Sequence, residues 1–311
     1  MIMQDLSALH TLVINSLEEQ IAVIDQAGTI VDVNLAWTKF GQENGLSSTY
    51  ACVGLNYLEI LSASAAGGDS LAAEAAQGIS DVVSGRRASF YFEYPCHSPE
   101  EKRWFLMRVT RLKDGSRRLF VISHQNITSR KLAEERAEYL AMHDPLTGLA
   151  NRRYFNLILK REMRRSIRNR SAISLIEADV DHFKDYNDEF GHLAGDRCLT
   201  SVGQALATFA RRPSDLAARL GGDEFALLLA DTDFLESQKI AEAVVKAVDD
   251  LKMVFGGSRH VTVSIGVASA ILHDQQSEDI LLQEADKALY RAKGAGRNRV
   301  VHAQALAKKQ A

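Results

Sequence analysis

A chain of 311 residues is long enough for about two domains. With 46% hydrophobic and 25% charged residues and only four prolines, it has the composition of an ordinary globular protein with ample core. The net charge of −3 argues against wholesale nucleic-acid binding, and no apolar run approaches the ~20 residues of a membrane span. Cys52, Cys96 and Cys198 are scattered, odd in number and lack a CxxC pair, which fits free thiols in a reducing compartment better than a disulfide frame or a zinc site. No basic stretch followed by an apolar core opens the chain, so a cytoplasmic location is expected. The first element is an amphipathic helix with Leu6, Leu9, Val13 and Leu17 on one face. "IAVIDQAGTIVDVN" then reads as two short strands around a turn at Gly28. An Ala-rich middle, Ser62 to Gly85, reads as helix and loop. Two strands, "RASFYFEYPCH" and "KRWFLMRVTRL", join through "SPEE", and "RRLFVISHQNIT" closes the set after a turn at Asp114-Gly115.

This order of a short helix, two strands, helices and three strands resembles a PAS domain, a small sensor module with an antiparallel sheet, over residues 10–127. The "DQAGTIVDVN" hairpin and the closing "SHQNITSRK" carry the resemblance. The residues leave the ligand of such a sensor unknown. His97 and His124 are the only positions singled out for haem, against the plainer reading of structural histidines, and nothing favours flavin. Residues 128–142, "TSRKLAEERAEYLAM", contain strong helix formers and no Gly or Pro, with Thr128 or Ser129 able to cap the start. Leu132, Tyr139 and Met142 form a sparse seam suited to a short parallel coiled coil, too short to hold a dimer unaided, with a solvated connector helix as the plainer alternative.

Asp144-Pro145 breaks that helix, and Gly148 permits a turn into a new one carrying a basic ridge, Lys160, Arg161, Arg164, Arg165 and Arg168, read as a solvated face. "AISLIEADV" reads as a buried strand. Helix follows from Leu199 to Phe209, then the strand "FALLLAD", a helix from about Phe234 to Leu251, the strand "VTVSIGVASA" and a final helix, "SEDILLQEADKALYRAK". Alternating strands and helices make residues 143–303 an α/β domain with a central sheet.

Two acid pairs bear on chemistry. Asp179 and Asp181 flank Val180 at the carboxyl end of a strand, where a period of two puts both on one side. Asp223 and Glu224 follow Gly221-Gly222 in "RLGGDEFALLL", a tight turn whose adjacent like charges call for a cation. If the strands are neighbours the acids share one site. Oxygen ligands with open positions suit Mg²⁺ and metal-assisted phosphoryl or nucleotidyl transfer.

"HDPLTGLANRR", "DVDHFKDYND", "FGHLAGD", "RLGGDEF", "VTVSIGV", "EADKALYRAK" and "GAGRNRV" together resemble the GGDEF family of diguanylate cyclases. The resemblance implies a fold like the nucleotide-cyclase and polymerase palm, hence α/β (α+β) overall. It implies Mg²⁺- or Mn²⁺-dependent condensation of two GTP, one on each domain of a homodimer, into cyclic di-GMP and two pyrophosphates. Carried over by motif, Asp179 and Asp223 bind metal through carboxylates and Val180 through its carbonyl. Asp223, with Glu224 beside it, is the base for the ribose 3′-hydroxyl, and Lys184 stabilises phosphate charge. Backbone amides near His182 and Phe183 cradle phosphates, Lys293 and Arg297 contact the triphosphate, and Asn187, His192 and Asp196 form the guanine pocket. "RPSD", with Arg212 and Asp215 five residues ahead of the glycine pair, resembles the family's inhibitory site for cyclic di-GMP; a solvated loop is the plainer alternative. Glu177 departs from the pattern, standing mid-strand where an apolar residue is usual, either near the site or paired to a base. The competing functions are an inactive GGDEF receptor for cyclic di-GMP, against which the presence of Asp179, Lys184, Asp223 and Glu224 stands, and a cyclase of relaxed base choice, against which Asp196 stands.

Overall fold

The computed structural model describes residues 2–47, 52–112, 118–272 and 279–303. The chain divides into two compact units, Met1–Glu135 and Arg136–Ala311. In the first, α1 (Ile2–Asn15) precedes β1 (Gln20–Ile24), β2 (Ile30–Val33), α2 (Leu35–Glu43), α3 (Tyr57–Ala66), α4 (Ser70–Val83), β3 (Ser89–Pro95), β4 (Trp104–Arg111) and β5 (Phe120–Asn126). The strands form one antiparallel sheet in the order β2-β1-β5-β4-β3. Its core packs Ile24, Val109, Phe120 and Ile122 of the sheet against Ala75, Ile79 and Val82 of α4. The turn foreseen at Asp114-Gly115 and the Leu6 side chain lie outside the described residues. The helix α2 has a clear local cause that periodicity overlooked. Asn34 caps it by accepting from the Trp37 amide at 3.0 Å, and its Nδ2 donates to the Glu19 carbonyl at 2.8 Å.

The helix α5 (Thr128–Met142) has the expected bounds and ends ahead of the Asp144-Pro145 break. Beyond it come β6 (Ala150–Asn151), α6 (Arg152–Asn169), β7 (Ala172–Val180), α7 (Phe183–Phe190), α8 (His192–Ala207), β8 (Leu216–Gly221), β9 (Glu224–Ala230), α9 (Phe234–Asp249), β10 (Val254–Phe255), β11 (Arg259–His260), β12 (Val263–Ile271), α10 (Ile280–Gly294) and β13 (Val300–His302). A six-stranded sheet runs β13-β12-β7-β9-β8-β6. The central strand β7 is covered on both faces, in keeping with its mainly apolar sequence, which only Ser174, Glu177 and Asp179 interrupt. Ile176, Ala178 and Val180 face the core under α8 and α9, whereas Ile173 and Leu175 face that under α6 and α10. Glu177 and Asp179 therefore point to the second side by the period of two.

Two expectations need correction. The helix foreseen from Leu199 begins at His192, and residues 183–190 form a further helix, meeting it at Gly191. In "FKDYNDEF" the aromatic residues Phe183, Tyr186 and Phe190 stand at i, i+3 and i+7, a helical spacing that went unread, and Phe183 and Tyr186 pack on the core. Nor is the basic ridge of α6 merely solvated: Arg161 and Arg165 clasp the buried Glu162 at 2.9 and 3.2 Å, and Arg165 also reaches Asp231 at 3.0 Å.

Candidate active site

The register of the sheet brings the acids together. Strands β7 and β9 pair antiparallel with Asp179 opposite Glu224, and the Val180 amide donates to the Asp223 carbonyl at 3.2 Å. The β8–β9 hairpin is tight enough that Gly221 and Gly222 adopt φ of +145° and +53°, a backbone that side chains disfavour. Two straps hold its tip. The Arg219 guanidinium donates to the Gly222 carbonyl at 2.7 Å and pairs with Asp144 at 3.1 Å. From the start of α6, Arg152 donates to the Leu220 carbonyl at 2.7 Å and pairs with Glu224 at 3.1 Å. Sequence reasoning missed Asp144, Asn151, Arg152 and Arg219, although all lie within motifs it quoted: the partners of Arg152 and of the Asp144–Arg219 pair are distant in the chain, and those of Asn151 are nearby main-chain carbonyls that no spacing pattern marks.

The Lys293 ammonium at the end of α10 lies 2.7 Å from Asp179 Oδ2. Burial pushes the Asp179 carboxyl above its ordinary range, Lys293 opposes this, and the charge of Asp223 adds to it. Asp179 and Asp223 thus repel each other at short range, and a cation already attends one of them. An oxygen-only set of two carboxylates suits a hard divalent cation with room for phosphate oxygens. Among the described residues no three His, Cys, Asp or Glu side chains gather around one point.

Asp181 is diverted from this task. It is buried, accepts from Thr262 Oγ1 and Ser264 Oγ at 2.7 Å each and from the Asn298 amide at 3.0 Å, and has Arg297 Nε at 4.0 Å. Its work is to pin the loop carrying Arg297. Glu177 is buried, and among the described residues it has no basic side chain paired to it. Burial first, then the charges of Asp286 and Glu224, push its carboxyl up to about 7, with Arg152 opposing. It lines a cleft of about 380 Å³ with Arg152, Glu224 and Asp286.

The residues expected around guanine lie together on α7 and α8. Asn187 Oδ1 is buried with no hydrogen-bond partner among the described residues. It rests against Gly195, where a Cβ would fall 1.8 Å from that oxygen and 3.1 Å from the Phe183 ring. His192 and Asp196 stand exposed at the first turns of α8, and Lys184 is exposed on the first turn of α7.

The RPSD segment borders a separate cavity of about 380 Å³ whose lining includes Arg211, Thr232, Glu236 and Lys239. The Arg212 fork is engaged within the protein: it donates to the carbonyls of Ala230 and Asp231 at 3.1 and 3.3 Å and pairs with Glu236 at 3.1 Å. Asp215 accepts from the amides of Arg211, Arg212 and Ala230 at 3.2, 2.9 and 3.3 Å. In the first unit, His124 lines a cavity of about 260 Å³ with Trp37, Phe40, Tyr57, Tyr94 and Phe105. Its Nδ1 is 2.7 Å from the Tyr94 hydroxyl and its Nε2 3.4 Å from that of Tyr57, so both nitrogens are occupied. Burial drives the ring down to about 4, keeping it neutral. His97 is exposed, its Nδ1 accepting from the Arg103 amide at 3.0 Å. Among the described residues no helix is long and apolar enough to cross a membrane.

A PAS fold model matches residues 14–132. Among curated proteins, "Diguanylate cyclase DgcM" of Escherichia coli (strain K12) is 40% identical over 191 residues, 61% of this chain and 45% of that protein. "Diguanylate cyclase DosC" of the same organism is 36% identical over 202 residues, 62% of this chain and 44% of that protein. The chain thus spans less than half the length of these relatives. The solved coiled coil and GGDEF domain of DgcB from Caulobacter crescentus, in complex with c-di-GMP, aligns with a TM-score of 0.51 and 31% identity, over 56% of this chain and 93% of that one. The model described as "Diguanylate cyclase, GGDEF domain" matches residues 141–299, just over half of the chain and the whole of the acid-bearing sheet up to β12 with α10, and by that match the chain belongs to the GGDEF diguanylate cyclase family.

Proposed function

We propose that the chain is a sensor-regulated diguanylate cyclase, condensing two GTP into cyclic di-GMP and two pyrophosphates, with Mg²⁺ or Mn²⁺ required. The observation that carries this is the meeting of Asp179 with the Asp223-Glu224 hairpin across β7 and β9. The relatives' printed activity agrees with it. Asp179 and Asp223, with the Val180 carbonyl, would hold a divalent cation, which when bound neutralises triphosphate charge and acidifies the ribose 3′-hydroxyl. Asp223 takes the 3′-hydroxyl proton, with Glu224 beside it. The freed oxygen attacks the α-phosphorus of the second GTP, and the bond to pyrophosphate breaks; a second such step closes the ring. Lys184 meets charge developing on phosphate, the first amides of α7 near His182 and Phe183 offer unpaired donors to phosphate, and Lys293 and Arg297 serve the triphosphate. Asn187 and Asp196 read guanine, His192 lines the pocket, and the unpartnered Asn187 Oδ1 is an acceptor waiting for a donor such as guanine supplies.

One such domain holds one GTP, so turnover requires a homodimer. Leu9, Leu12 and Val13 of α1 are 53%, 69% and 52% exposed, an apolar face fit for a second copy. Feedback by cyclic di-GMP at Arg212 and Asp215 requires the ligand to displace the Glu236 pair from the Arg212 fork. The test is incubation of purified protein with GTP and Mg²⁺ followed by product identification. Asp223→Asn should leave the protein folded and cut the rate by ~10³ or more. Near-normal turnover by that variant would overturn the assignment.

A further inference from the structure

The two straps on the hairpin tip have an unequal reach. Arg152 hydrogen-bonds to the hairpin, while its neighbour Asn151 faces the other way. The Asn151 side chain donates through Nδ2 to the carbonyls of Ala141 at 3.1 Å and of Leu140 and His143 at 3.5 Å, all at the end of α5. Its Oδ1 meanwhile accepts from the Tyr154 amide at 2.9 Å and caps α6. Helix ends leave their last carbonyls without partners, and here a single amide gathers them. One residue later, Arg152 donates Nε to the Leu220 carbonyl and a terminal nitrogen to Glu224. Adjacent backbone positions, held in register by the pairing of Asn151 with Arg219 across β6 and β8, therefore grip α5 on one side and the acid-bearing hairpin on the other.

We propose that Asn151 and Arg152 are positioning residues, a two-residue linkage through which the end of α5 sets the place of Glu224 and the hairpin tip. Stability is not what the Arg152 pair supplies. Both partners are half exposed, at 59% and 50%, and such pairs add little to folding. What the fork supplies is orientation, because Nε and a terminal nitrogen in a fixed plane constrain a carbonyl and a carboxylate together. A shift of α5 moves the carbonyls that Asn151 holds, and with them the strand end from which Arg152 projects. The activity part of this inference rests on the cyclase reading; the structural part does not.

Three variants of the full chain separate the roles. Asn151→Asp keeps the acceptor that caps α6 and removes the donors to α5. Arg152→Lys keeps the charge and loses the fork, and Arg152→Gln loses both. Amide hydrogen exchange over residues 219–225 reads the hairpin directly. We expect exchange there about tenfold faster in Arg152→Gln, whose lost bonds involve a charged group, with Arg152→Lys between it and the original, and faster also in Asn151→Asp, whose carboxylate turns acceptors toward the α5 carbonyls that Asn151 held. With GTP and Mg²⁺, kcat should fall about tenfold in Arg152→Gln while KM stays near its original value, the pattern of a contact expressed in the transition state. Combining Arg152→Gln with Glu224→Gln should add almost nothing further, because the first acts through the second. Wild-type exchange at 219–225 in Asn151→Asp, or full additivity in the double variant, would overturn the proposal. Should Asn151→Asp lower the melting midpoint, the mostly exposed Arg152→Gln decides the question alone. If the unmodified protein made no cyclic di-GMP, the cyclase reading would fall, and the exchange data would still decide the linkage.

Discussion

Gly195→Ala separates folding from function in the proposed guanine pocket more sharply than removal of any charged group. A methyl at this position falls 1.8 Å from Asn187 Oδ1 and 2.9 Å from its Cγ. Ordinary contact distances are near 3.5 Å, so the amide must retreat by roughly 1.5 Å. The displaced oxygen has no hydrogen bond among the described residues to lose, and Gly195 lies inside α8. Replacing glycine by alanine in a helix interior gains about 1 kcal/mol. The melting midpoint should therefore hold or rise. The pocket should suffer, because a misplacement of about 1 Å can cost ~10²-fold. Pyrophosphate release with GTP would show kcat/KM down by roughly that factor, and calorimetry would show weaker GTP binding. A variant with unchanged midpoint and GTP kinetics within about twofold of the original would refute the placement of guanine beside Asn187.

Asp196→Ser should narrow the preference for GTP over ATP by at least about tenfold in a competition assay, since pockets that hydrogen-bond a base reject its analogue strongly; an unchanged ratio would put base reading elsewhere. Arg212→Ala should abolish inhibition by added cyclic di-GMP, and because the same fork holds the carbonyls of Ala230 and Asp231 it should also cost about 1–3 kcal/mol in denaturant melts. Equal product affinity by calorimetry in both proteins would exclude the RPSD site. The chain's two tryptophans, Trp37 and Trp104, both lie in the first unit, so their fluorescence follows its unfolding. His124 protonates near 4 when folded against 6.5 as an ordinary imidazole. Its contribution is whole above pH 6.5 and is lost as pH falls toward 4, about 3 kcal/mol in all. His124→Gln should flatten that slope, and an unaltered slope would mean that another group titrates.

Much of this molecule follows from local chemistry and is legible along the chain. The helix at 128–142 ends where Pro145 forbids the preceding residue a helical backbone. The Gly221-Gly222 pair announces a turn of positive φ, and two acids beyond it announce a cation. Apolar runs such as "AISLIEADV" declare a strand buried on both faces. What only the tertiary structure decided is which of several equivalent charges does what. Asp179 and Asp181 stand two residues apart on the same strand end, yet Lys293 attends the first while Thr262, Ser264 and the Asn298 amide consume the second. Arg212 reads as a free fork for a ligand and proves to be tied to the start of α9. Glu177 is an ordinary acid until burial beside Asp286 and Glu224 lifts it to about 7. Asn151 and Arg152 look like a helix start and become a joint between α5 and the hairpin. Apart from the Asn151 contacts, the deciding atoms come from strands and helices well separated in the chain. A charge's partner and its desolvation are properties of that assembled neighbourhood, to which spacing along the sequence gives no access.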